Sequence, residues 1–178
     1  MKKITMPFIA CLALATSAFA GQEIKESKAV APEPCFKDQE LQIGAFGSYT
    51  STTAANPHAD GFGGGIEVNY FFMRYLGVGV DGNIYEGDAN GVWDATGRLI
   101  ARFPIDNGVG GLCIAPYIFA GGGVLTDSIL VGTWHVGGGL EYRATQQIGI
   151  FAEGRYTWGG EDGEFNAAQA RVGVRFVF

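Results

Sequence analysis

The chain has two histidines, His58 and His135, so any Ser–His–acid hydrolytic chemistry has to use one of them. His58 follows Pro57 in a polar stretch and reads as an exposed loop residue. His135 is expected near Arg155, which disfavours the charged imidazole rather than aiding catalysis. The cysteines Cys11, Cys35 and Cys113 show no CxxC pairing and give no zinc signature. Glycine triplets at 63–65, 121–123 and 137–139 lack the strand–GxGxxG–helix setting of a nucleotide site. The run Gly159 to Glu164 lacks the spacing of a calcium loop and reads as a solvated anionic segment. No enzyme activity, cofactor or metal is therefore expected. What remains is a set of arginines and carboxylates in segments that contain no Lys: Glu67, Asp81, Arg98, Arg102, Glu141, Arg143, Glu153, Arg155, Arg171 and Arg175. Ion pairing is the chemistry that suits such a set, and Arg serves it better than Lys because its planar fork meets carboxylates at two points.

The composition narrows the elements that could position these residues. Glycine supplies 29 of 178 residues, without a three-residue period and beside only six Pro, which excludes collagen. An apolar fraction of 47% with 17% charged residues is too hydrophobic for a disordered chain. A net charge of −6 argues against a nucleic-acid partner. Lys2 and Lys3, the apolar stretch from Ile4 to Ala15 and the small-x-small triplet Ala18-Phe19-Ala20 read as a signal peptide over 1–20, cleaved between Ala20 and Gly21. Residues 21–40 hold the three remaining Lys, two Pro and five acids, and read as a flexible lead segment. From 41 to 178 Arg is the only basic side chain other than His, and one further domain is expected.

That domain alternates with period two, the signature of strands with one apolar face. At the C-terminal end Ala168, Ala170, Val172, Val174, Phe176 and Phe178 share a face opposite Gln169, Arg171, Gly173 and Arg175. Segments 41–50, 62–72, 76–86, 98–105, 131–143 and 147–158 behave alike, and 113–123 is a further strand whose facing the pattern leaves open. Eight strands are predicted. Their polar face is Gly interleaved with Arg, Glu, Asp and Asn, which suits a narrow interior better than a watered surface. Strands of 10–11 residues tilted by about 40° rise about 26 Å, close to the ~25 Å apolar band of outer-membrane barrels. The expected fold is all-β, an eight-stranded antiparallel up-and-down transmembrane β-barrel with its apolar face toward lipid.

The connections alternate short (73–75, 106–112, 144–146) and long (51–61, 87–97, 124–130, 159–165), as periplasmic turns and extracellular loops do. The long ones carry Asp60, Glu86, Asp88, Asp94, Asp127, Glu161, Asp162 and Glu164 and no Lys or Arg, so acidic extracellular loops are expected. Glu67 and Asp81 should lie side by side, with Arg102 as their cation, and Glu153 should face Arg171. Buried charges are tolerable only when paired. A lumen plugged by Arg–carboxylate pairs is the first expectation, and a narrow channel for small solutes is the alternative.

The stretches NYFFMRYLGVGVDG (69–82), LCIAPYIFAGGG (112–123), WHVGGGLEYR (134–143) and IFAEGRYTW (150–158) resemble the outer membrane protein β-barrel domain family of Gram-negative bacteria, the small OmpA/OmpX-type barrels. The resemblance spans roughly 41–178. It implies an outer-membrane location with both termini periplasmic, and contact with outer-membrane lipid and lipopolysaccharide. It implies a terminal Phe178 read by the barrel-assembly machinery, and no peptidoglycan-binding domain. A monomer is expected, with an unknown surface ligand at the acidic loops as a further partner. Some small outer-membrane barrels modify lipid A, a third reading that the two histidines support poorly. Cys35 and Cys113 both fall on the oxidising periplasmic side, and a disulfide between them is expected to tie the lead segment across the barrel mouth.

Overall fold

The structure, a computed structural model, describes residues 33–52, 60–86, 92–106, 111–126, 130–159 and 165–178. The predicted Ala20–Gly21 junction, His58, Asp88, Asp127, Glu161, Asp162 and Glu164 lie outside these residues. Regular structure among the described residues is all β: β1 (Glu40–Thr52), β2 (Gly61–Met73), β3 (Leu76–Tyr85), β4 (Val92–Arg102), β5 (Ile105–Asp106), β6 (Cys113–Thr126), β7 (Leu130–Arg143), β8 (Ile148–Gly159) and β9 (Phe165–Val177). Every pairing is antiparallel. The order runs β4-β3-β2-β1-β9-β8-β7-β6, and pairing of β4 with β6 closes the ring. Eight long strands thus form a closed up-and-down barrel, with β5 a two-residue strand beside β6. First and last strands are stitched by reciprocal bonds between Leu41 and Phe178 (3.2 and 2.9 Å).

Several strand limits differ from the sequence expectation, and two of them bring in charged residues. The fourth strand covers Val92–Arg102, not 98–105, so half of the supposed 87–97 loop is ladder. It stops because Pro104 has no N–H to offer; Phe103 donates its own to Pro116 O at 2.8 Å, and pairing resumes at Ile105. The first strand starts at Glu40, which the sequence assigned to the lead segment.

The faces divide as the alternation predicts, with the polar residues inside. Ile66, Val80, Leu99 and Val172 point outward at 60–67% exposure, and the apolar outer face continues round all eight long strands. Water would not tolerate a patch of this extent. Lipid does, because the closed ring leaves no strand edge with unpaired backbone groups. Tyr49, Phe62, Trp93, Trp134, Tyr156 and Trp158 lie outward toward the long-connection end, and Phe72, Tyr75, Phe103, Tyr142, Phe176 and Phe178 toward the turn end. These match the two aromatic girdles of outer-membrane barrels. On β6, whose facing the sequence left open, Cys113, Ala115, Tyr117 and Phe119 turn inward.

Candidate functional site

The lumen is built from the inward positions of the strands, and its main feature is charge. Six carboxylates are buried among the described residues: Glu40, Glu67, Asp81, Asp94, Glu141 and Glu153. Six arginines accompany them: Arg98, Arg102, Arg143, Arg155, Arg171 and Arg175. None of the twelve is more than 7% exposed. Ionised, six acids and six arginines sum to zero, the condition under which a low-dielectric interior can hold them.

The twelve form one alternating chain along the barrel. At the turn end Arg102 and Arg143 share Glu40 (2.6 and 2.5 Å). Arg143 also bonds Glu141 at 2.5 Å, and Glu141 accepts from Arg175 at 2.8 Å. Arg175 and Arg98 clamp Glu67 from two sides. Arg98 reaches Glu153 at 3.1 Å, and Arg171 bridges Glu153 (3.4 Å) to Asp81 (2.7 Å). Arg155 then joins Asp81 (3.3 Å) to Asp94, which accepts at both oxygens at 3.0 Å. Neutral groups take up some of the remaining valences: Thr96 and Tyr117 donate to Asp81 and Glu153 (2.6 and 2.8 Å), and Gln42 to Glu40 at 2.8 Å, while Arg98 Nε, Arg143 Nη1, Arg155 Nε and Arg171 Nη2 have no hydrogen-bond partner among the described residues.

Aromatic rings separate the levels of this chain. The Arg102 guanidinium lies 3.7 Å from the Phe71 ring centre, Arg175 lies 3.9 Å from that of Phe151, and Arg171 lies 4.5 Å from that of Phe46. Such stacking adds attraction that grows when water is excluded. Room for these side chains comes from glycine. A Cβ at Gly44 would stand 2.9 Å from Glu67 Cγ and 3.2 Å from Arg175 Cγ. Above Asp94, toward the long connections, a cavity of about 10 Å³ is lined by Thr50, Thr96, Thr133, Thr157 and Gln169 among others. That is about the space of a single water.

Several pairings differ from the sequence expectation. Glu67 does face Asp81, and Glu153 faces Arg171. Arg102 serves neither Glu67 nor Asp81. It lies beyond the end of β3, where Leu76 pairs with Ala101, and binds Glu40 instead. No single cation serves both acids: Arg98, whose partner across the ladder is Gly79 and whose side chain crosses the lumen, takes Glu67 together with Arg175, and Asp81 goes to Arg155 and Arg171. His135 pairs in register with Thr157, one inward position along β8 from Arg155, whose charge still acts on it. The β7–β8 turn is longer than 144–146: Ala144 and Thr145 N–H groups both bond Ile148 O, which pushes β8 to start at Ile148. Asp94, assigned to an acidic loop, points into the lumen because β4 already runs through it. Glu40 and Asp94 are the two network members that sequence reasoning missed. Of the other loop acids, Asp60 and Glu86 are exposed. Two bonds from Thr52 hold the Asp60 carboxyl below the usual carboxylate range.

The remaining candidates fall at the turn end or on the wall. Cys35 and Cys113 are disulfide-bonded, with Cα atoms 5.9 Å apart. Phe178 is exposed at 73% beside Leu41. His135 is buried, its ring 6.0 Å from that of Phe119, and neither ring nitrogen has a hydrogen-bond partner among the described residues. Ser48, an inward hydroxyl, donates to Asn83 at 3.0 Å.

A family model, the outer membrane protein beta-barrel domain, matches the chain over residues 7–176. The chain belongs to this family. Its barrel is similar to the N-terminal β-barrel domain of OprF from Pseudomonas aeruginosa, with 22% identity and a TM-score of 0.61 over 79% of this chain and 98% of that one. It is also similar to Neisserial surface protein A, with 16% identity and a TM-score of 0.57 over 76% and 96%. Ail, the attachment invasion locus protein of Yersinia pestis, gives 14% identity and a TM-score of 0.51 over 79% and 99%. At these identities the likeness is one of fold. Among curated proteins, none is significantly similar to the chain in sequence.

Proposed function

We propose that this protein is an integral outer-membrane barrel of a Gram-negative cell with a structural or surface-interaction role, and that its lumen is plugged by the Arg–carboxylate chain. The observation that carries this reading is the continuous alternation of six arginines and six carboxylates, each at most 7% exposed. A water-filled pore keeps its charged side chains hydrated and separated, whereas these are packed against one another and against aromatic rings. The plug does no chemistry. It satisfies the inside of a barrel too narrow for solvent, and leaves recognition to the long connections.

In this reading the turn end and both termini face the periplasm, and the acidic long connections face outward. Outer-membrane lipid surrounds the two girdles, lipopolysaccharide meets the loop end, and the barrel acts as a monomer. Phe178, exposed at the end of the closing strand, suits a signal for the assembly machinery. The surface role draws on Neisserial surface protein A and the attachment invasion locus protein only as examples of what this scaffold can carry. A non-catalytic role is supported by His135, which packs on Phe119 with no acid or hydroxyl bonded to it among the described residues.

Planar-bilayer recording of wild type beside Glu153→Ala and Arg171→Ala tests the reading. Wild type is expected to be silent, and each truncation, which opens a gap in the middle of the chain, to give brief openings. Large stable conductance in wild type would make the protein a channel.

A further inference from the structure

The lead segment does not end loosely at the barrel. Cys35 is bonded to Cys113 at the start of β6, 78 residues away. Phe36 is fully buried and packs with Cys35, Cys113 and Ala115. Its ring centre lies 5.1 Å from the Arg102 guanidinium and 4.8 Å from that of Arg143, the two arginines that share Glu40. Arg102 donates to Lys37 O at 3.0 Å, and Asp38 accepts from the Arg74 N–H. The chain then turns at Gln39, whose φ of 55° is left-handed, and enters β1. Phe36 therefore covers the last link of the charge chain at the turn end.

The geometry points to residues 35–38 as a cap on the turn end of the lumen, latched by the Cys35–Cys113 bond and released by thiol–disulfide exchange with a dithiol. This rests on the reading of the lumen as closed. A pocket of about 180 Å³ lies against the bond, lined by Cys35, Cys113, Gly111, Tyr142, Arg143 and Gln146, and marks the side from which a thiolate would approach; Cys35 and Cys113 are themselves 4 and 5% exposed. The first thiolate attacks one sulfur, forms a mixed disulfide and expels the other cysteine, which takes up a proton. The second thiol of the reductant resolves the mixed disulfide and leaves as the oxidised partner. Two electrons pass from the dithiol to the latch, and Cys35 and Cys113 become thiols. Once the bond is open, the cap is held by one buried ring, its cation–π contacts and a few hydrogen bonds, against the entropy of a segment tethered only through β1.

Trypsin reads the cap directly. The Lys37 side chain is half exposed, yet its carbonyl is held by Arg102, so the Lys37–Asp38 bond is presented to a protease only when the cap lifts. Cleavage at that bond is followed by mass spectrometry in folded oxidised protein, in the same protein reduced with dithiothreitol, and in Cys35→Ser. Unboiled gel mobility reports whether the barrel is intact. Reduction and Cys35→Ser are each expected to speed cleavage about tenfold or more, with folded mobility retained. Equal rates in the oxidised and reduced states, whether slow or fast, would overturn the latch. Loss of folded mobility on reduction would overturn it too, since the bond would then hold the barrel and not a cap. If Cys35→Ser does not fold, reduction of already folded wild type carries the test alone. Conductance is read separately, so an open lumen would overturn the plug without deciding how the cap is held.

Discussion

Replacing Arg175 with Met removes the centre of the charge chain while keeping most of the apolar stem. Arg175 bonds Glu67, Glu141 (2.8 Å) and the Tyr117 hydroxyl (3.2 Å), and its guanidinium lies 3.9 Å from the Phe151 ring centre. After the change five arginines face six acids, and the interior carries an uncompensated negative charge. Glu67 keeps Arg98 and Glu141 keeps Arg143, so neither is isolated. Removing one partner of a buried pair costs about 3–5 kcal/mol, and the expected loss in unfolding free energy falls in that range. Adding Glu67→Gln restores neutrality at five and five. The double variant should recover about 1–3 kcal/mol relative to the sum of the single changes. Urea unfolding of vesicle-inserted protein, followed through Trp93, Trp134 and Trp158 fluorescence, supplies all four corners of the cycle. A cost below about 1 kcal/mol for Arg175→Met, or strict additivity in the double variant, would refute the argument that the lumen is dry and charge-balanced.

Three further outcomes use the same titration. Gly44→Val drives a side chain into Glu67 and Arg175 and should cost about 1–3 kcal/mol, whereas Gly47→Ala on the outer face, with its nearest atom at 4.0 Å, should stay within about 0.5 kcal/mol. Val80→Arg, at an outward position 60% exposed, should cost about 2–4 kcal/mol in vesicles; a cost near zero would contradict a lipid-facing wall. Asp94→Asn removes the charge held by both oxygens against Arg155 and should cost about 1.5–3 kcal/mol, where an acid in a solvated loop would cost almost nothing.

The barrel was legible because each strand faces two different surroundings. Lipid selects Ile66, Val80 and Val172 on one side, and a narrow polar lumen selects Gly beside Glu67, Asp81 and Arg171 on the other, so the alternation is strong. Individual pairings were less legible. Side-chain partners across a barrel belong to strands far apart in sequence, and a β7–β8 connection longer than 144–146 puts His135 in register with Thr157 in place of Arg155. Glu40 and Asp94 were missed because local composition put one in a Lys- and Pro-rich lead and the other in a Gly- and Asp-rich loop. A signal for them existed in the charge count. Four inward acids against six arginines left two positive charges over, and a dry interior requires two more carboxylates. The same composition hides the partner of Arg102: with Glu40 in the lead, the nearest acids in the pattern are Glu67 and Asp81.

The central claim is that side chains, not water, fill the barrel, and single-molecule conductance of the wild-type protein in a planar bilayer tests it most directly. The charge chain predicts no sustained current at high salt, because an ion would have to displace paired groups at every level from Glu40 to Asp94. A stable, ohmic conductance from the oxidised, folded barrel would contradict it.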